Sequence, residues 1–316
     1  MSKTSSIEPI YFSIILPTYN RSKMLKKAIN SVLVQGFKNW ELIIVDDASS
    51  DDTATVVKSF LSSQITYLKN IKNLHKGASR NNGMKIAKGK FITFLDDDDY
   101  FLPNHLGKIY KHIKQSNEKT ALYYTNIRYI KDKKETIRSL PTISQNQNKL
   151  EFVLQPWTAI GAPQAVIANS ILKKEKFDES IEIGQDTELF LRIADKYDLI
   201  HIQTDTYVAL YHDDNSANIK YNTGLKRLLG IKKIFNNKSL SKQIPFKLKM
   251  YMYSYCYRRM SDHYEFIGDR RSTFNFALKA LIYSPFDKDF KIKTTQIIYN
   301  LPYFGKKIKN SYHKIK

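Results

Sequence analysis

Hydrophobic and polar positions alternate along the first 125 residues in a strand–helix rhythm. Phe12-Ser-Ile-Ile-Leu16 is a short apolar run ended by Pro17. Leu25, Ala28, Ile29, Val32 and Leu33 then repeat at helical spacing. Glu41-Leu-Ile-Ile-Val45 reads as a second buried strand. Ser49 or Ser50 is expected to cap the next helix, with Asp51 and Asp52 favourable in its first turn. Ile65 to Leu68 predicts a third strand, and Ala78 to Ala87 a helix stopped by Gly89. Phe91 to Leu95 predicts a fourth strand. Leu106, Ile109, Tyr110 and Ile113 mark a helix, and Ala121 to Tyr124 another strand. This βαβα order predicts an α/β fold with a mainly parallel sheet and helices on both faces.

Beyond that point the pattern weakens. Residues 130–155 are polar, with Lys131 to Lys134 as a charged hairpin tip. Thr187 to Ala194 predicts a helix with Leu189, Phe190, Ile193 and Ala194 inward, followed by strand-like pieces at Leu199–Ile202 and Tyr207–Tyr211. After about residue 220 the chain turns into Lys- and Tyr-rich helices, and Tyr264 to Ser284 resembles a helical hairpin turning at Gly268-Asp269.

Charge sharpens that division. The formal net charge is +21, yet residues 221–316 hold 21 Lys and Arg against 5 Asp and Glu. The basic character belongs to the last third, whose natural partner is an anionic surface, nucleic acid or the cytoplasmic leaflet. Lys306, Lys307, Lys309, Lys314 and Lys316, interleaved with Tyr303, Phe304, Ile308, Tyr312 and Ile315, suit a bilayer interface. Cys256 is the one cysteine, which excludes an internal disulfide or a cysteine metal site and suits a reducing compartment. Residues 1–9 carry no apolar segment behind a basic start, so no secretory leader is expected. No run of about 18 apolar residues predicts a membrane span.

Chemistry concentrates in acidic clusters placed where loops at the top of a parallel sheet belong. Asp96 to Asp99 follow the fourth strand, and four like charges in a row gain nothing from a core. Open α/β sheets bind ligands at that edge, and an oxygen-only cluster is what Mg²⁺ or Mn²⁺ selects. Asp46-Asp47 follow the second strand, and Asp186 follows Gly184 at a helix start. Each has a plainer reading as a solvated turn or a helix cap. Convergence of all three on one sheet edge favours a site.

Five segments carry a family resemblance. Ser13-Ile-Ile-Leu-Pro-Thr-Tyr-Asn-Arg21, Ile44-Val-Asp-Asp-Ala-Ser-Ser-Asp-Asp-Thr53, Ala78-Ser-Arg-Asn-Asn-Gly83, Phe94-Leu-Asp-Asp-Asp-Asp99 and Gly184-Gln-Asp-Thr-Glu-Leu-Phe-Leu-Arg192 resemble family 2 glycosyltransferases, in the family's order and spacing. The resemblance covers roughly residues 12–212. It implies a GT-A fold (Rossmann-like, mainly parallel sheet flanked by helices) with a C-terminal helical extension. It also implies a nucleotide-sugar donor, a divalent metal (Mn or Mg) and inversion at the anomeric carbon. The catalytic domain would span 1–220, with a nucleotide-sugar half to about 125 and an acceptor half over 126–220, and a basic helical region would span 221–316.

Carried over residue by residue, the resemblance assigns Asp186 as general base. Gln185 stands where the family commonly has Glu, and Glu188 is the alternative base. Pro17, Tyr19, Asn20, Asp46, Asp47, Arg80, Asp96 and Asp97 fall at donor-binding positions. Pro17, Tyr19 and Asp47 would hold uridine, and Arg80 phosphate. Alignment through Pro103 makes Asp98 the metal ligand, with Asp96 or Asp97 on the ribose and Asp99 behind them. His212 resembles a late histidine near the diphosphate, as a metal ligand or a phosphate contact. Trp157 falls where acceptor loops lie.

The partners implied are a nucleotide-sugar donor, with a UDP-sugar expected, a glycan or lipid-linked acceptor and an anionic membrane surface. The expected location is cytoplasmic, peripheral on the inner face of a bacterial membrane, with a homodimer an open alternative for the C-terminal helices. No nucleic acid is expected. The competing readings are a basic nucleic-acid-binding protein and a nucleotidyltransferase using the same aspartates. The first lacks a recognisable RNA-binding signature or zinc finger, and the second lacks a Gly-rich phosphate loop near the first strand.

Overall fold

The computed structural model describes residues 9–155, 158–212 and 222–284. The chain divides into two compact units, Met1–His212 and Asp213–Lys316. Seven strands of the first unit form one sheet: β1 (Phe12–Thr18), β2 (Trp40–Asp46), β3 (Ile65–Lys69), β4 (Phe91–Phe94), β6 (Ala121–Thr125), β9 (Ala165–Ala168) and β10 (Asp198–Ile202). Their order is β10-β6-β9-β4-β1-β2-β3. All neighbours are parallel except β9, which runs antiparallel to both β4 and β6. Every residue of β1 and β2 is buried, as expected for strands covered on both faces.

The helices cover that sheet through the predicted apolar stripes. On α1 (Ser22–Leu33), Leu25, Ala28, Ile29 and Val32 are buried, and burial of each larger side chain contributes about 1.5–3 kcal/mol. After α2 (Thr53–Lys58) and α3 (His75–Ile86) comes α4 (His105–Gln115), which buries Leu106, Ile109 and Ile113. Later come α5 (Lys149–Leu154), α6 (Asn169–Leu172) and α7 (Gln185–Lys196), the last with Leu189, Phe190, Ile193 and Ala194 inward. The order β1–α1–β2–α2–β3–α3–β4 is the one the periodicity predicts.

A second sheet of four strands has the order β5-β11-β7-β8, built from β5 (Tyr100–Phe101), β7 (Ile127–Lys131), β8 (Lys134–Arg138) and β11 (Tyr207–Leu210). Lys131 pairs with Lys134 across a two-residue turn, and Asp132 and Lys133 both have positive φ, the geometry that matches hairpin twist.

Two local expectations are corrected. Neither Ser49 nor Ser50 caps α2: Asp51 Oδ1 accepts from the Thr53 N–H and hydroxyl, while Ser49 Oγ accepts from Asn20 N at 2.9 Å. Gly89 does not end α3, whose last residue is Ile86. A Cβ at Gly89 would lie 2.4 Å from Ser13 N, so this glycine serves close backbone approach to β1. The sheet is mainly parallel as expected, with Ala165-Val-Ile-Ala168 inserted antiparallel as β9, a strand that the sequence pattern did not place. A four-residue run beside polar sequence carries too little periodicity to separate strand from helix.

In the second unit, α8 (Thr223–Asn236), α9 (Lys238–Gln243), α10 (Phe246–Phe266) and α11 (Arg270–Tyr283) pack together. The turn between α10 and α11 falls at the predicted place. Gly268 adopts φ +81°, and Asp269 caps α11 by accepting from Ser272 N at 3.0 Å. The first arm is longer than the sequence suggested, reaching back to Phe246. Among the described residues no helix is long and apolar enough to cross a membrane. The basic segment Lys306–Lys316 lies outside the described residues.

Candidate functional site

Parallel register brings the acidic segments to one edge. Thr18 and Asp46 are partners at the ends of β1 and β2, and Ile15 pairs with Phe94 at the end of β4, so the chain emerges there into Leu95 and the four aspartates. Thr18 donates its hydroxyl to Asp97 Oδ2 at 2.8 Å, joining the end of β1 to the cluster.

The four aspartates face different partners. Asp96 Oδ1 accepts from Arg80 Nη2 at 2.9 Å, and its Oδ2 lies 3.0 Å from Lys76 Nζ. Burial opposes its ionisation, but Lys76 and Arg80 overcome that and hold its pKa at about 2. Asp97 accepts from Thr18 and from Arg21 Nη1 at 3.1 Å; burial nevertheless raises its pKa. Asp98 Oδ2 meets both Arg21 Nη1 and His212 Nε2, the latter at 3.1 Å. Asp99 accepts from the Tyr207 hydroxyl and from Leu210 N at 3.0 Å. Burial, followed by the charges of Asp98 and Asp96, pushes its pKa well above the carboxylate range.

Asp96, Asp98 and Asp99 each bring an oxygen within 4.8 Å of the others. Asp98, which carries the His212 imidazole and has Asp96 and Asp99 close by, lies in an oxygen-rich cluster of the kind that suits a hard divalent cation. Asp98 and His212, the two expected metal ligands, are brought together.

The donor-binding positions divide by accessibility. Tyr19 is 46% exposed at the end of β1, where its ring is open to a planar ligand. Pro17 is buried within β1. Asn20 has φ +52°, which asparagine tolerates, and its Oδ1 accepts from Ser50 N at 2.8 Å, tying the loop after β1 to the loop after β2. Asp47 Oδ1 accepts from Asn70 Nδ2 at 2.7 Å and Leu74 N at 2.9 Å, leaving Oδ2 without a partner among the described residues. Asp46 is fully buried, with Oδ1 accepting from Ser49 N and Oδ2 from the Tyr67 hydroxyl, so it shapes the turn that carries Asp47. Arg80 is 3% exposed and committed to Asp96, over the rings of Phe94 and Phe177.

Asp186 sits in the first turn of α7. Its Oδ1 accepts from Thr187 N at 2.9 Å, and Oδ2 has no partner among the described residues. A Cβ at Gly161 would lie 4.0 Å from that Oδ2, which places the segment after α5 beside it. Gln185 Oε1 lies so close to Gly77 that a Cβ there would approach it to 2.2 Å. Gly77 follows Lys76, so the start of α7 abuts the helix whose Lys76 and Arg80 hold Asp96. Glu188 is not available as the alternative base: both of its oxygens accept from Arg192, at 2.7 and 2.8 Å. Trp157 lies outside the described residues.

Two cations were assigned no role from sequence. Arg21 reaches Asp97 and Asp98; its signal was a basic residue at the end of β1, on the edge where the aspartates emerge. Lys76, 40% exposed at its side chain, precedes the expected start of α3 and reads as a surface lysine until the helix is placed.

Comparison with known proteins adds an independent line. The model of a family described as "Glycosyl transferase family 2" matches residues 13–181, a span that includes the four aspartates but not Asp186 or His212. An uncharacterized glycosyltransferase of Rickettsia felis is 30% identical over 275 residues, covering 83% of this chain and 43% of its own length. The GalNAc(5)-diNAcBac-PP-undecaprenol beta-1,3-glucosyltransferase of Campylobacter jejuni is 33% identical over 189 residues, 57% of this chain and 59% of that protein. The chain thus spans well under two thirds of the length of these relatives. Among solved structures, S. aureus TarS residues 1–349 in complex with UDP-GlcNAc shares the fold. Its TM-score is 0.59 at 18% identity, covering 87% of this chain and 82% of that one. The Pyrobaculum calidifontis mannosyltransferase PcManGT, in complex with GDP-Man and Mn2+, aligns with a TM-score of 0.53 at 14% identity over 93% of this chain and 85% of its own.

Proposed function

The chain belongs to glycosyl transferase family 2, and from that premise we propose that it moves a sugar from a UDP-sugar to a hydroxyl of a glycan or lipid-linked acceptor, with inversion at the anomeric carbon. The observation that carries this reading is the meeting of Asp98 and His212 at the sheet edge where Tyr19 and Asp47 are also presented. Tyr19 stacks on uracil, and the open Oδ2 of Asp47 accepts the base N–H. Asp98 and His212 would hold Mn²⁺ or Mg²⁺, and Asp96 or Asp97 would meet the ribose by giving up a present partner, Lys76 or Arg21. When bound, the cation neutralises charge on the departing diphosphate. Lys76 is the accessible cation beside Asp96 and complements that charge.

Asp186 is the base. Its unpartnered Oδ2 takes the proton of the acceptor hydroxyl as that oxygen forms its bond to the anomeric carbon and the bond to the diphosphate oxygen breaks. UDP-bound and UDP-GlcNAc-bound TarS, and the undecaprenol-linked substrate in the name of the Campylobacter relative, support the choice of donor and acceptor class. The net positive charge of residues 221–316, together with exposed Leu225 and Leu229 beside Lys226, Lys232 and Lys233 on α8, supports a peripheral position on an anionic cytoplasmic leaflet. The acidic cluster that the nucleotidyltransferase alternative would use lies inside the residues matched by the family model.

Calorimetric titration of UDP with and without Mn²⁺ tests the reading. Binding that requires the metal is the expected result. Binding of GDP or dTDP in place of UDP overturns the uridine assignment, and no nucleotide binding in either condition overturns the donor site.

A further inference from the structure

His212 reaches Asp98 across the second sheet, and one contact decides where it lands. β5 begins at Tyr100, directly after the aspartates, and pairs antiparallel with β11 as Tyr207↔Phe101 and Val208↔Tyr100. Continued by one step, that ladder sets Asp99 opposite Ala209. There the Asp99 side chain replaces the backbone: Oδ1 accepts from Leu210 N at 3.0 Å and Oδ2 from the Tyr207 hydroxyl. On the other side of the strand, Tyr211 N donates to Ile130 O of β7 at 2.9 Å. The exit of β11 is therefore gripped from both sides within two residues of His212, whose Nε2 lies 3.1 Å from Asp98 Oδ2.

We infer that Tyr207 and Asp99 form a buried clasp that positions His212 for the metal, and that Asp99 itself is not a ligand. The inference rests on the reading of Asp98 and His212 as metal ligands. Asp99 is 6% exposed and Tyr207 4% exposed, and both Asp99 oxygens already have protein donors, whereas Asp98 Oδ1 has none among the described residues. A carboxylate in that state supports a ligand from behind, as the hydrogen-bonded partners of metal-binding histidines commonly do. Tyr207 is a positioning residue on this account: it touches neither metal nor substrate.

The test uses the full chain with Mn²⁺ alone, reading affinity from the free-ion EPR signal and imidazole coordination from ¹⁴N coupling in pulsed EPR. Wild-type protein is expected to show the nitrogen coupling, and Asp98→Ala to lose metal. Tyr207→Phe, shown to be folded by circular dichroism, is expected to lose the coupling and to bind Mn²⁺ about tenfold more weakly. Asp99→Asn keeps an acceptor for Leu210 N, and its amide can donate to the Tyr207 oxygen. It is expected to retain the coupling and to bind within about threefold of wild type. Coupling that survives in folded Tyr207→Phe overturns the clasp. A loss in Asp99→Asn as severe as in Asp98→Ala makes Asp99 a ligand, overturns the inference, and decides the matter alone should Tyr207→Phe not fold. Wild-type protein that binds Mn²⁺ without nitrogen coupling refutes the ligand reading of His212 beneath it.

Discussion

The two ends of the parallel sheet are built from opposite materials. At the N-terminal end, where Phe12 pairs with Trp40 and Phe91, five rings interlock: Tyr11 lies 4.8 Å from both Phe12 and Tyr110 and 5.4 Å from Phe91, and Phe37 lies 4.7 Å from Tyr110. Edge and tilted contacts of this kind add about 0.5–1.5 kcal/mol beyond area burial. The carboxylates there are each answered: Glu118 takes donors from Tyr11, Lys90 and Lys114, and buried Glu41 from the Ser13 hydroxyl and Lys88 N. At the C-terminal end four carboxylates crowd one turn, and burial and mutual repulsion drive Asp97 and Asp99 toward the neutral form. The first end is arranged for stability. The second carries an electrostatic cost that Arg21, Lys76 and Arg80 offset only in part, an arrangement common where ligands bind.

The largest separation of the two roles is expected at Asp186. Asp186→Asn keeps the acceptor for Thr187 N and removes only the charge at the start of α7, a position worth about 0.3–1 kcal/mol to the helix. Transfer is expected to fall by about 10²–10⁴-fold, the range for a lost general base, while UDP affinity and melting temperature barely move. Sugar-transfer rates beside a UDP titration check this. A variant that transfers at the wild-type rate ends the assignment of Asp186 as base.

Phe91→Ala strikes the other end. Phe91 is 1% exposed and its ring meets both Tyr11 and Tyr123. Truncation is expected to destabilise the fold by about 3–5 kcal/mol in chemical denaturation. UDP affinity of the remaining folded protein should stay unchanged, because β4 is held in register from both sides by β1 and β9. Weaker UDP binding at full folding would mean that the aromatic end sets the geometry of the acidic one, and the comparison would fail.

The parts legible in the sequence were those with a local signature. β1 to β4 announced themselves as apolar runs and α1 by its period, while α2 was signalled only by polar residues suited to a cap. Once Asp46-Asp47 and Asp96–Asp99 were placed after parallel strands, one shared edge followed from topology. The partners were not legible. Asp46 and Asp47 are adjacent and alike in sequence, yet one closes a buried turn and the other keeps an open oxygen, a difference made by Tyr67 and Asn70 more than twenty residues on. Arg21 and Lys76 bind the aspartates from different elements, and no spacing rule encodes such pairs. The grip of Tyr207 on Asp99 spans 108 residues and depends on β5, a two-residue strand too short to carry a pattern.

The smallest expected effect on stability is the most diagnostic of the contrast. Asp97 is 4% exposed and accepts from Thr18 and Arg21, so contact counting alone would make Asp97→Asn damaging. Yet the fold disfavours its charge, because desolvation and neighbouring Asp98 outweigh the cations nearby. An asparagine keeps one acceptor and relieves the crowding, while Arg21 keeps Asp98. Removing one of several crowded buried charges can be neutral or stabilising. Unfolding free energy is therefore expected to change by no more than about 1 kcal/mol, against the roughly 3–5 kcal/mol usual when a well-satisfied buried ion pair is broken from one side. UDP affinity in the presence of Mn²⁺ should fall by about tenfold, the equivalent of about 1.4 kcal/mol. Denaturation and UDP titration on the same preparation separate the two. A stability loss as large as that of Phe91→Ala would show that the aspartates hold the fold together as the aromatic rings do, and the division of labour between the two ends of the sheet would be lost.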